Sequence, residues 1–237
     1  MLKALLLLVS AGKLGPLLVT LGSMLLSVVI YAQLFGWAFA VGFVGLLLVH
    51  ELGHYLAARQ RGLAVGAPTF IPFVGAWIEL KTQPMSVETE AWVALAGPLL
   101  GTLGAMGCYY LGRHGGGNLW LALAYMGCLL NLFNLIPLTP FDGGRIVAIL
   151  SPKLWLVGIP VLVALFFYRP SPLLLLVAVL AAPQVWGLLR GRLAQPASYY
   201  RASLEQKLQY GCYYLGLLAF LAIMSQHLHQ QLAPLRG

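Results

Sequence analysis

Two histidines and a glutamate sit together at His50-Glu51-Leu52-Gly53-His54, inside a run that is otherwise apolar from Phe43 to Ala58. On a helix, positions four apart share a face, so both imidazoles can reach one ion at about 2.0–2.1 Å. Glu51, beside the first of them, can take a proton from water held on that ion and pass it to a leaving amine. Imidazole and carboxylate donors, with one coordination position left open, suit Zn2+ as a single ion. On a soluble helix the same trio would more often be a solvated or packed pair. Within an apolar run that bland reading weakens, because uncompensated histidine and glutamate would face hydrocarbon.

A third donor must come from elsewhere in the chain, and Asp142 is the candidate. It lies in Asn134-Leu-Ile-Pro137-Leu-Thr-Pro140-Phe141-Asp142-Gly143-Gly144-Arg145, where Pro137 and Pro140 break the preceding helix and the two glycines permit a tight turn. Its competing role is to cap the helix that starts near Arg145. The other histidines, His114, His227 and His229, are expected on the far side of the membrane.

These residues need a scaffold, and composition identifies its solvent. The chain has 237 residues, 60% hydrophobic and only 8% charged. A soluble domain carries about 25% charged residues, so there are too few here to cover a globule. The expectation is an all-α polytopic membrane protein, a bundle of six to seven helices forming one membrane-embedded domain over 1–237. Candidate spans are 14–35, 37–58, 91–112, 118–137, 153–168 and 171–189, with a seventh at 209–226. The run 1–10 reads as an interfacial helix or the start of the first span, uncleaved. Residues 64–90, with three prolines and the alternating stretch 76–81, suggest a small β-hairpin or loop at the membrane edge after the second helix. Residues 191–208 read as a polar surface linker or helix. Cys108, Cys128 and Cys212 have no paired spacing and read as small core residues.

The net charge of +8 does not indicate nucleic acid, because the basic residues cluster at the ends of apolar runs. With seven alternating spans and a cytosolic N-terminus, eleven Lys and Arg fall inside and only Arg113, Arg169 and Arg236 outside. That bias predicts a multi-pass protein of the cell membrane whose site opens toward the cytosol.

Taken together, HELGH at 50–54, Ala96-Gly97-Pro98 in the next span and the Asn-x-x-Pro…Asp-Gly run at 134–143 resemble the site-2 protease family of intramembrane metalloproteases. The resemblance covers about 37–150, leaving about 153–226 as accessory helices; Phe141 stands where the family commonly has leucine. It implies zinc held by His50, His54 and Asp142, Glu51 as general base, and cleavage of single-span membrane proteins within or near the bilayer, as in regulated intramembrane proteolysis. It also suggests Asn134 as an oxyanion donor, a role an amide can fill, against the alternative of an interhelical hydrogen bond. Asn131, one turn earlier, reads as structural. With no room for a PDZ or CBS domain, the resemblance is to a minimal core form. Rival functions are an ion-binding transporter and a catalytically inactive membrane regulator. Substrate identity and oligomeric state are not encoded in these motifs.

Overall fold

The computed structural model describes residues 14–66, 69–72, 75–77 and 86–233. The expected interfacial segment at 1–10 and most of the alternating stretch at 76–81 lie outside the described residues. Among the described residues, eight α-helices run in order: α1 (Leu14–Phe35), α2 (Trp37–Gln60), α3 (Val87–Leu111), α4 (Asn118–Asn134), the short α5 (Asp142–Val147), α6 (Trp155–Tyr168), α7 (Pro172–Leu189) and α8 (Leu204–Leu232). Five of them, α1, α2, α3, α7 and α8, are long and apolar enough to cross a membrane; α4 and α6 are apolar but shorter. The chain is a multi-pass membrane protein.

Local chemistry sets the boundaries. Ser86 caps α3, its Oγ accepting from the Thr89 N–H, and Glu88 and Glu90 fall in the first turn, where the helix dipole favours acids. This start is four residues earlier than the apolar run alone suggests. Ser203 and Gln206 form a reciprocal capping box that starts α8, so most of the supposed linker at 191–208 remains irregular but its last residues are helical. Pro137 stops α4 at Asn134, because the backbone ahead of a proline is pushed out of helical conformation.

In lipid the hydrophobic effect does not drive helices together, so association depends on close packing and polar contacts. α2 lies directly on α3 at Gly53, where a Cβ would come within 2.2 Å of the Ala96 carbonyl oxygen. α3 packs on α4 and α5, α4 on α8, and α7 chiefly on α6. The main core joins Leu95, Ala105, Leu123, Ile146, Leu221 and Leu228, all fully buried. Cys108 and Cys128 are buried in this core, whereas Cys212 is exposed on α8.

Between α2 and α3, two short strands, β1 (Thr69–Ile71) and β2 (Gly75–Trp77), pair antiparallel with Phe70 opposite Ala76. The Phe70 N–H donates to Ser23 Oγ on α1, and Phe70 is buried with Tyr31, Val44 and Leu47. Gly36 links α1 directly to α2 with φ 84, the left-handed region that favours glycine. Ser23 is twelve residues from Phe35 and His50 thirteen from Trp37, about 18 and 20 Å along their helices. β1 is therefore anchored at the depth of His50.

Candidate metal centre

α2 is helical without interruption through HELGH, so His50 and His54 present on one face, both buried. Their Nε2 atoms are 3.1 Å apart. Asp142 Oδ2 is 3.2 Å from each. The three donors are buried together and could hold one metal ion. In a tetrahedral site with donors at about 2.0–2.1 Å from zinc, neighbouring donors stand about 3.3–3.4 Å apart. The observed triangle is within a few tenths of an ångström of that spacing.

The outward sides of the two rings show which atoms face the ion. His50 Nδ1 lies 2.8 Å from Asn131 Oδ1, and His54 Nδ1 lies 2.7 Å from the Val93 carbonyl oxygen. Carbonyl oxygens only accept, so each Nδ1 carries the proton. Both Nε2 lone pairs then point at a carboxylate oxygen, and three acceptors converge with no donor between them. This is the arrangement that a cation completes, with each ligating histidine anchored through its other nitrogen.

Asp142 is the first residue of α5, and the position before it, Phe141, has no side-chain cap. The carboxylate therefore does not cap the helix; it turns inward to the histidines. Oδ1 faces the Arg145 guanidinium at 3.8 Å. Gly143 and Gly144 have ordinary helical backbones here, and their role is close approach: a Cβ on Gly143 would lie 2.2 Å from the Leu135 carbonyl oxygen. The loop that delivers Asp142 is also held from outside. Trp155 Nε1–H donates to the Gly144 carbonyl at 2.7 Å, and Tyr214 O–H to the Leu135 carbonyl at 2.7 Å.

Glu51 is buried on α2, close enough to His54, His50 and Asp142 to feel their charges. Asn134 is half-buried at the end of α4, its Nδ2 donating to the Leu130 carbonyl of the same helix. The structure thus brings His50, His54 and Asp142 into one cluster with Glu51 adjacent, while Asn134 bonds within its own helix. His114, His227 and His229 are elsewhere. His227 and His229 meet Tyr109 and Tyr125, with Tyr109 at the end of α3 remote from Glu88. Two contributors to the site were not assigned to it from sequence. Gly97 gives space to the His54 ring, since a Cβ there would lie 2.2 Å from Nε2. Asn131, read as structural, touches a donor.

At the same end of the bundle as His54, an ionic network ties the elements together. Arg61 binds Glu88 through two hydrogen bonds of 2.9 and 2.8 Å, and Tyr210 O–H also donates to Glu88. Arg145 donates to Glu90 at 3.3 Å, and Tyr199 O–H donates to the same carboxylate. Burial, and then the Glu90 charge, push the Tyr199 phenol far above its ordinary range, so it remains a donor.

Part of the chain is similar to known proteases. Residues 38–117 match the model of peptidase family M50. The Mycobacterium tuberculosis protein Rip3 is 35% identical over 124 residues, covering 48% of this chain and 31% of that protein. A zinc metalloprotease of Methanocaldococcus jannaschii is 34% identical over 125 residues, covering 49% of this chain and 36% of that one. The chain thus spans about a third of the length of these two relatives. Among solved structures, a site-2 protease from the same archaeon aligns with a TM-score of 0.44 at 20% identity, covering 82% of this chain and 84% of that one. The resemblance read from the motifs stands: residues 38–117 are similar to peptidase family M50, and about half of the chain is similar to proteins named zinc metalloproteases.

Proposed function

We propose that this chain is an intramembrane zinc metalloprotease that hydrolyses peptide bonds of single-span membrane proteins, with its site open toward the cytosol of a cell membrane. The observation that carries the reading is the triangle of His50 Nε2, His54 Nε2 and Asp142 Oδ2, 3.1–3.2 Å on a side, with Glu51 beside it. A zinc held by His50, His54 and Asp142 would supply Lewis acidity and make an attacking water more acidic. The Glu51 carboxylate is placed to accept a proton from the attacking water and to deliver it to the leaving amine nitrogen. Asn134 has two amide hydrogens, one held by the Leu130 carbonyl, and the second is the donor for a developing oxyanion.

Orientation rests on charge. Arg61 and Arg145 pair with Glu88 and Glu90 at the site's end of the bundle, and the eleven-to-three bias of Lys and Arg supports a cytosolic site. Water enters from that end, and the Arg–Glu–Tyr network sits where helices meet it. A helical substrate must unwind before its amides can be attacked. The strand pair β1–β2 is the place for an unwound stretch to pair as an added strand, and β1's anchorage at the depth of His50 supports this role.

Glu51→Gln tests the function directly. Cleavage of a single-span substrate by the purified protein in bilayers falls by about 100- to 10,000-fold, the range for losing a general base. The ion content stays at one zinc per chain. A transporter or an inactive regulator would show no cleavage in the parent protein, and either result would reject the proposal.

A further inference from the structure

We propose that Asn131 is a positioning residue for the metal centre: it fixes the His50 proton on Nδ1 and thereby presents Nε2 as the ion-binding atom. The inference rests on the reading of His50, His54 and Asp142 as a metal site, and extends it to a side chain on another helix. Asn131 is 1% exposed, in the interior of α4, where an amide is costly unless its polar atoms are used. Nδ2 donates to the Gly127 carbonyl at 2.7 Å, and Oδ1 lies 2.8 Å from His50 Nδ1.

The first bond determines the second. A carbonyl can only accept, so the Gly127 contact requires the amide nitrogen there and fixes the oxygen on the His50 side. An oxygen at that place admits only the Nδ1–H form of the ring. The lone pair is then on Nε2, 3.2 Å from Asp142 Oδ2 and 3.1 Å from His54 Nε2. α3 completes the socket: a Cβ on Gly101 would lie 2.3 Å from Asn131 Oδ1 and would push the oxygen off its place. Three helices therefore cooperate to set one proton.

The two histidines differ in how they are held. His54 is anchored by the Val93 backbone carbonyl, which no side-chain substitution removes. His50 depends on a side chain, so its anchor can be deleted alone. Partners of this kind, beyond the ligands themselves, typically carry about 10- to 100-fold in metal affinity.

The test is zinc affinity of the full chain in lipid nanodiscs, measured by chelator competition. Asn131→Ala is expected to weaken zinc by about 10- to 100-fold. Asn131→Asp keeps an acceptor oxygen toward His50 but loses the donor to the Gly127 carbonyl, and is expected to bind zinc more tightly than Asn131→Ala. Asn131→Leu, which fills similar space without an acceptor, would bind zinc like the parent if the role were packing alone, and no role would leave every variant unchanged; either outcome overturns the proposal. His50→Ala is the control on the underlying reading. If it leaves zinc binding intact, the metal site itself is wrong, whatever Asn131 does. Should Asn131→Ala fail to fold, the 15N spectrum of selectively labelled His50 in the zinc-free parent decides. A proton on Nδ1 supports the assignment, and a proton on Nε2 overturns it.

Discussion

At the site, His50, Asn131, His54 and Asp142 of the inner helices meet side chain to side chain, whereas Trp155 of α6 and Tyr214 of α8 reach inward to backbone carbonyls. His50 meets Asn131, and both histidines meet Asp142. Trp155 and Tyr214 instead hold the Gly144 and Leu135 carbonyls. Those two carbonyls bracket the stretch that turns from α4 to α5 and delivers Asp142. The inner helices therefore set where the imidazoles sit, and the outer ones set where the carboxylate arrives. α6 and α8 are not a passive annulus around a core that ends near residue 150. Their remaining surface is different in kind: α4, α6 and α8 border an apolar cavity of about 970 Å³ that reaches Ile136 and Pro137.

The sharpest break of the inner half is Gly97→Ala. The new Cβ would lie 2.2 Å from both Cε1 and Nε2 of His54, and α3 cannot retreat freely because Gly53 already meets the Ala96 carbonyl. The His54 ring must leave its place, and zinc affinity falls by at least about 100-fold, the upper end for changes around the ligands. Chelator competition measures it. Affinity close to the parent's would mean that α2 and α3 are not rigidly in contact at the site.

How much of this was legible follows the same divide. HELGH declares itself because helical spacing alone puts both histidines on one face, and Asp142 because ionisable groups are rare in an apolar chain. Asn131 could not be assigned, since its partner is 81 residues away and only folding brings the two helices together. Gly97 was visible in a motif, yet its purpose, space for the His54 ring, requires coordinates. The run 118–137 was long enough on paper for a span, but the helix ends at Asn134 because Pro137 disfavours helix ahead of it. The start of α8 carried a readable signal in Ser203 and Gln206, which a search for apolar runs passes over. Trp155 and Tyr214 were unreadable for a general reason. Their partners are backbone carbonyls, which leave no mark in a sequence.

The outer half is tested by smaller changes. Trp155→Phe keeps an aromatic side chain but removes the indole N–H along with part of the ring, leaving the Gly144 carbonyl without its donor. An unpaired buried carbonyl costs about 1–3 kcal/mol, and the loss appears as lower thermal stability of the zinc-free protein in nanodiscs. Zinc affinity falls too, because Gly144 is two residues from Asp142. Tyr214→Phe removes the donor to Leu135 at a similar cost of about 1–3 kcal/mol, but seven residues from the aspartate. Its effect on zinc is expected to be the weaker of the two. If Tyr214→Phe harms zinc binding more than Trp155→Phe, the loop transmits position along its length and is not held locally.

The smallest effect should be on α7, which packs chiefly on α6 and has no side-chain hydrogen bond into the site among the described residues. Val179 is 68% exposed on its outer face, where lipid replaces water as the neighbour. Trimming it to alanine removes no polar partner and opens no cavity, so stability should change by no more than about 0.5 kcal/mol. Zinc affinity should not move. The comparison then has three graded levels: ligand geometry at Gly97, loop clamping at Trp155 and Tyr214, and bare lipid contact at Val179. A Val179→Ala variant that lost zinc or cleavage would show that α7 is coupled to the loop through α6, and the outer helices would have to be treated as one clamp instead of two residues.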